Sequence, residues 1–69
     1  MQTQNQYCAY TQDTESLRLA LDLIRAHSLK FEAHIGRTRF WVDSGSELDT
    51  YCALRFKCIN HETDHSLGT

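Results

Sequence analysis

The sequence predicts a small α+β domain with the element order βαββα, in which helices pack on a three-stranded, mainly antiparallel sheet. Three observations favour this class: an amphipathic helical segment after a short β-rich one, an alternating segment folded around a glycine, and a second helix-capping signal. Sixty-nine residues allow one domain. We expect it to span residues 6–59, between a flexible N-terminus at 1–5 and a flexible polar tail at 60–69.

The first strand and helix follow from residue type and spacing. Residues 6–11, QYCAYT, are rich in aromatic and β-favouring types and predict a strand. Asp13 or Thr14 then caps a helix whose apolar face has the spacing i, i+3, i+4, i+7, formed by Leu17, Ala20, Leu21 and Ile24. Further leucines make the apolar arc wider than one sheet face requires. Two alternatives remain open: a second helix of the chain covers the flank, or the chain forms a homodimer through helix 1.

Residues 29–42 predict a hairpin whose two faces differ in polarity. Apolar and polar residues alternate with a period of two, and Gly36-Arg37 fits a two-residue type II′ turn. The apolar side then has three cross-strand pairs beneath helix 1: Ile35 with Thr38, Ala33 with Phe40, and Phe31 with Val42. The other side pairs Lys30 with Asp43, Glu32 with Trp41, and His34 with Arg39.

A second helix is expected after the hairpin. Ser44 and Glu47 have the S-x-x-E spacing of a capping box. Residues 48–59 fit both a helical face and strand alternation, and their leucine and alanine content favours the helix. If they instead form a strand, the sheet gains a fourth member.

The sequence offers no pattern typical of catalysis or metal binding. Cys8, Cys52 and Cys58 are odd in number, so we expect free thiols rather than disulfides. Cys58, His61 and His65 carry zinc-binding side chains, but Cys52 and Cys58 are spaced too widely for a familiar structural site. Neither a glycine-rich phosphate loop nor a hydrolase motif is present. We therefore expect no enzyme activity, no metal and no cofactor.

Charge and hydropathy bear on the compartment. The formal net charge is −2, the pI is near 6.0, and no apolar run is long enough to span a bilayer. The N-terminal residues lack the basic start and apolar core of a signal peptide. We expect a cytoplasmic protein with no membrane partner, located in the host cell if a phage encodes it.

The polar face of the hairpin is the candidate partner-binding surface, formed by Trp41, Arg39, His34, Glu32, Lys30 and Arg37. Tryptophan and arginine often dominate protein interfaces, so this face predicts a small protein–protein interaction module. By size alone, it is comparable to accessory or inhibitor proteins of phages and mobile elements that bind a host protein. Two alternatives stay open: the Trp41/Arg39 face binds nucleic acid, or Trp41 is covered by helix 2 or by the side-chain stems of Lys30 and Arg39.

Overall fold

The computed structural model describes residues 3–59 and contains six elements in the order βαββαβ. They are β1 (Gln4–Tyr10), α1 (Thr14–His27), β2 (Phe31–His34), β3 (Arg37–Asp43), α2 (Glu47–Arg55) and β4 (Lys57–Cys58). The sheet order is β2-β3-β1-β4 and each neighbouring pair is antiparallel. This is a split β-α-β arrangement. The predicted α+β class is confirmed, but the sheet has four strands rather than three.

Both helices begin at a capped N-terminus. Asp13 caps α1, as predicted, by accepting a hydrogen bond from the backbone N–H of Ser16 at 3.2 Å. The cap of α2 is Ser46 rather than the predicted Ser44, and its hydroxyl oxygen accepts from the Asp49 N–H at 3.0 Å. The chain therefore enters α2 two residues later than the S-x-x-E pattern indicates.

The fourth strand forms because α2 ends early. Phe56 leaves the helix with extended backbone angles, and its ring packs edge-on against Phe40 with centroids 5.1 Å apart. Lys57 and Cys58 then pair with Cys8 and Tyr7 of β1. The ambiguous segment 48–59 is thus helical first and extended at its end.

The core lies between the helices and one face of the sheet. Tyr7, Phe40 and Val42 are almost fully buried, and the helices contribute Ala20, Ile24 and Cys52. Leu21 was predicted to share this core, but its exposed fraction is 41%. Successive helical residues are rotated by about 100°, so burying Ala20 places Leu21 on the flank of α1, beside Phe31.

The hairpin register differs from the predicted one by two residues. Phe31 pairs with Phe40 and Ala33 with Thr38, and the loop is Ile35-Gly36 rather than Gly36-Arg37. Gly36 takes the second loop position with φ +87°, which glycine adopts without strain. Because a shift of two residues preserves side-chain alternation, the residues that pair across the hairpin keep their predicted faces. Ile35 is the exception: it was predicted to face Thr38 beneath helix 1, but it lies in the loop and is fully exposed.

A partly buried hydrogen-bond network joins α2 to β1. Asp49 accepts from the Tyr7 hydroxyl at 2.5 Å, from Asn5 Nδ2 at 3.0 Å and from the Gly45 N–H at 3.1 Å. These donors lower the pKa of the Asp49 carboxyl. Burial, together with the bond to Asp49, raises the pKa of Tyr7. The network fixes where α2 lies on the sheet.

Candidate functional site: the open face of the sheet

The structure places all six predicted site residues on one side of the sheet, opposite the core. On β3, the side chains of Arg37, Arg39 and Trp41 alternate with buried ones and so lie on the side away from the core. Their partners across the hairpin, His34, Glu32 and Lys30, lie on the same side. Both helices contact the other side, through residues such as Asn5 and Tyr7. Within residues 3–59, no helix covers these six residues, which we call the open face.

Trp41 is partly buried and lies beneath a lysine. The Trp41 N–H donates to the Lys30 carbonyl at 3.1 Å, so these residues are opposite one another across the β2–β3 ladder. The Lys30 ammonium lies 5.0 Å from the centroid of the indole ring, within the range of a cation–π contact. The predicted neighbour of Trp41 was Glu32, and the two-residue change of register explains the difference.

Arg39 is the centre of a charged cluster with β2. Its Nη2 atom lies 3.0 Å from His34 Nε2 and 3.4 Å from Glu32 Oε1, and the histidine and glutamate are 3.3 Å apart. The Arg39 side chain is 26% exposed, whereas those of His34 and Glu32 are 44% and 48% exposed. The carboxylate therefore balances the guanidinium at the middle of the open face, and the outer two side chains remain accessible.

Strands β1 and β4 and the residue after β4 bring further side chains to this side that sequence reasoning missed: Gln4, Gln6, Cys8, Tyr10, Lys57 and the buried Ile59. Cys8 is opposite Arg39 on β3 and Lys57 on β4, and it is buried despite lying away from the helices. The alternation of side chains along β1 indicates which residues of this strand share a face. Their position beside Arg39 and Trp41 depends on the β1–β3 pairing, which no local pattern in the sequence indicates.

Basic and acidic residues are distributed unequally between the two sides of the sheet. Four of the seven Lys and Arg residues share the side of the open face, namely Lys30, Arg37, Arg39 and Lys57. Only two acidic residues among those described share it, Glu32 and Asp43. This side therefore carries a formal excess of two positive charges in a chain whose net charge is −2.

The cysteines are free and chemically distinct. Cys52 is fully buried and burial raises the pKa of its thiol to about 11, whereas Cys58 is exposed. Across residues 3–59, no group of three or more Cys, His, Asp or Glu side chains has the geometry to hold a metal ion. His61 and His65, which complete the zinc pattern considered above, lie outside the described residues.

Comparison with protein-family models, with curated proteins and with solved structures finds no match for this chain. None of the helices in residues 3–59 has the length and apolar character needed to cross a membrane.

Proposed function

We propose that the chain is a protein-binding module that acts through the open face, with Trp41 and Arg39 at the centre of the contact. The observation that carries this proposal is the position of Trp41: a partly buried indole on a sheet face that neither helix covers. Tryptophan and arginine at the centre of a surface patch are typical of residues that dominate binding energy. The cluster at Arg39 supplies polar groups around them.

The mixture of charges favours a protein over a polyanion as partner. Glu32 lies on the same face as Trp41 and contacts Arg39, so a phosphate approaching the guanidinium also meets a carboxylate. Asp43 lies two residues from Trp41 on the same strand face and accepts a bond from Gln4 at 3.2 Å. A protein surface with both donors and acceptors matches such a face better than a uniformly negative backbone does.

Affinity capture with a matched pair of variants tests this proposal. Trp41 lies under Lys30 on the open face, and Tyr51 lies under Arg55 on the helix side, with the guanidinium 4.6 Å from its ring. Trp41→Ala should abolish capture of a specific partner from the native cell lysate, whereas Tyr51→Ala should retain it. Equal capture by both variants, with folding confirmed by circular dichroism, would contradict the proposal.

The finer proposal concerns biological role: an accessory or inhibitor protein of a phage or mobile element that binds a host protein in the cytoplasm. Its support is the small size and the lack of a catalytic motif. An activity assay of the captured partner tests this role. If the chain is an inhibitor, adding the wild-type chain should abolish that partner's activity. Activity unchanged by saturating chain would contradict the inhibitor role.

A second candidate, a single-stranded nucleic acid, is favoured by the excess of basic residues on the side of the open face. Sheets with exposed aromatic side chains stack bases in several RNA-binding modules. Fluorescence anisotropy with mixed-sequence oligonucleotides at several salt concentrations tests it, because phosphate contacts weaken as salt rises, with a slope of about −0.7 per contact for single strands. Binding lost in both Trp41→Ala and Arg37→Ala would support this candidate. No binding at low salt would exclude it.

A further inference from the structure

Strand β2 is an edge strand of the described sheet, and its apolar residue on the helix side, Phe31, is only half covered. All four of its residues are exposed, and β3 is its only neighbour in the described sheet. Phe31 is 50% exposed beside Leu21, which is 41% exposed. Together with Ile24 and Leu29 they line a groove of about 400 Å³ between β2 and α1. The groove therefore places exposed apolar side chains of α1 and β2 beside the outer edge of β2.

The hydrogen-bond ladder shows which backbone groups face outward. Lys30 accepts from the Trp41 N–H, so Lys30–Trp41 is a hydrogen-bonded pair of the β2–β3 ladder. Hydrogen-bonded and non-bonded pairs alternate along an antiparallel ladder. Phe31 and Ala33 are therefore non-bonded positions, and their N–H and C=O groups point away from β3. The free edge presents donors and acceptors at residues 31 and 33.

We propose that a second copy of this chain occupies this edge, with the two β2 strands pairing antiparallel across a twofold axis. An antiparallel pairing of identical strands is self-complementary, as a twofold interface requires. It joins the two four-stranded sheets into one continuous sheet and covers Phe31 and Leu21 of both copies. A domain of this size buries only about 60% of the surface that its unfolded chain exposes, less than a larger domain does, so a second subunit contributes substantially to its stability.

Charge complementarity selects the register. Centred on Phe31, the pairing places each Lys30 opposite Glu32 of the other copy, giving two opposite-charge pairs related by symmetry. Centred on Glu32, the pairing places the two glutamates directly opposite one another, which is destabilising. Centred on Ala33, it requires Ile35, a residue of the hairpin loop, to continue the strand. The proposed register is therefore the one with Phe31 on the twofold axis.

Sedimentation of the full chain over a range of concentrations tests the association. We expect a monomer–dimer equilibrium and a melting temperature that rises with protein concentration. Phe31→Glu places two like charges at the axis and should give a monomer at every concentration tested. Circular dichroism establishes that this variant is folded.

Charge reversal tests the register independently of Phe31. Lys30→Glu and Glu32→Lys should each weaken self-association by about tenfold or more, because both cross-strand pairs become repulsive. An equimolar mixture of the two variants should restore the dimer, since an acidic strand then faces a basic one. Lys57→Glu makes the same charge change on β4, at the opposite edge of the sheet, and should leave association unchanged.

Three outcomes would overturn the proposal. If the wild-type chain sediments as a monomer at all concentrations, a second copy does not occupy the edge, and another molecule, such as an extended peptide, becomes the candidate partner. A dimer that persists in folded Phe31→Glu, or that Lys57→Glu dissociates, lies on another surface. A mixture of the two charge variants that associates no better than either alone contradicts the register.

Discussion

Phe40 and Trp41 are consecutive residues of β3 whose side chains lie on opposite faces of the sheet. Phe40 has no exposed surface and contacts the rings of Tyr7 and Phe56. Trp41 is partly buried beneath the Lys30 ammonium on the side that neither helix covers. One strand therefore supplies both a central core residue and the candidate binding residue.

This relationship predicts different effects of truncating the two rings. Phe40→Ala should lower the free energy of unfolding by about 3–5 kcal/mol, since it opens a cavity in the core. Trp41→Ala should cost clearly less, because it removes a partly exposed ring and a cation–π contact of about 0.5–1 kcal/mol. Urea midpoints of both variants measure this difference. Equal losses would mean that Trp41 is a core residue and that the open face is not a binding surface.

The orientation of α1 predicts a contrast between Ile24 and Leu21. Ile24→Asp should unfold the domain, since it places an unpaired charge among buried side chains. Leu21→Asp should leave the chain folded, because 41% of Leu21 is exposed. Circular dichroism at low protein concentration measures whether each variant is folded. Unfolding of the monomeric Leu21→Asp variant would show that α1 turns Leu21 rather than Ile24 toward the sheet.

The network at Asp49 predicts a loss of stability in acid. Hydrogen bonds from Asn5 and Tyr7 lower the pKa of the Asp49 carboxyl in the folded protein. The ionised carboxylate is therefore more stable in the folded protein than in the unfolded chain. Its stabilisation is therefore fully present above the ordinary value near 3.8 and is lost as the pH falls through the lower folded value.

Replacement of Asp49 tests this origin of the acid sensitivity. Asp49→Asn should lower stability at pH 7 by about 1–3 kcal/mol, since hydrogen bonds to a charged group are lost, and should flatten the dependence on pH below 5. Asp22→Asn, at an exposed position of α1, is the control and should change neither quantity appreciably. If the stability of Asp49→Asn falls with pH below 5 as steeply as that of the wild type, other carboxylates cause the acid sensitivity.

The hairpin loop predicts a conformational penalty at Gly36. A methyl group added there meets no atom within 4 Å, so any cost comes from the φ of +87° and not from a clash. Gly36→Ala should destabilise the domain by about 1–2 kcal/mol, and Gly36→Asn by less, because asparagine tolerates the left-handed region better. Thermal denaturation of both variants measures the order. A neutral Gly36→Ala would mean that the loop adopts a different turn.

The sequence alone determined the α+β class, the start of α1 at Asp13 or Thr14, and the opposite faces of Phe40 and Trp41. These features depend on spacing within one segment: a helical repeat of 3.6 residues and a strand repeat of two. Side-chain alternation is unaffected by a two-residue change of register, which explains why the paired residues keep their predicted faces although the predicted turn, and with it the position of Ile35, was wrong.

Tertiary structure decided the features that depend on contacts between distant segments. The fourth strand exists because β1 offers Tyr7 and Cys8 as partners and because Phe56 packs on Phe40. Leu21 is exposed because the sheet covers only part of the apolar arc of α1. The position of Cys8 and Lys57 beside Arg39 requires the pairing of β1 with β3 and β4. The strand pairings of β1 join residues 27 or more positions apart, and local spacing does not specify them.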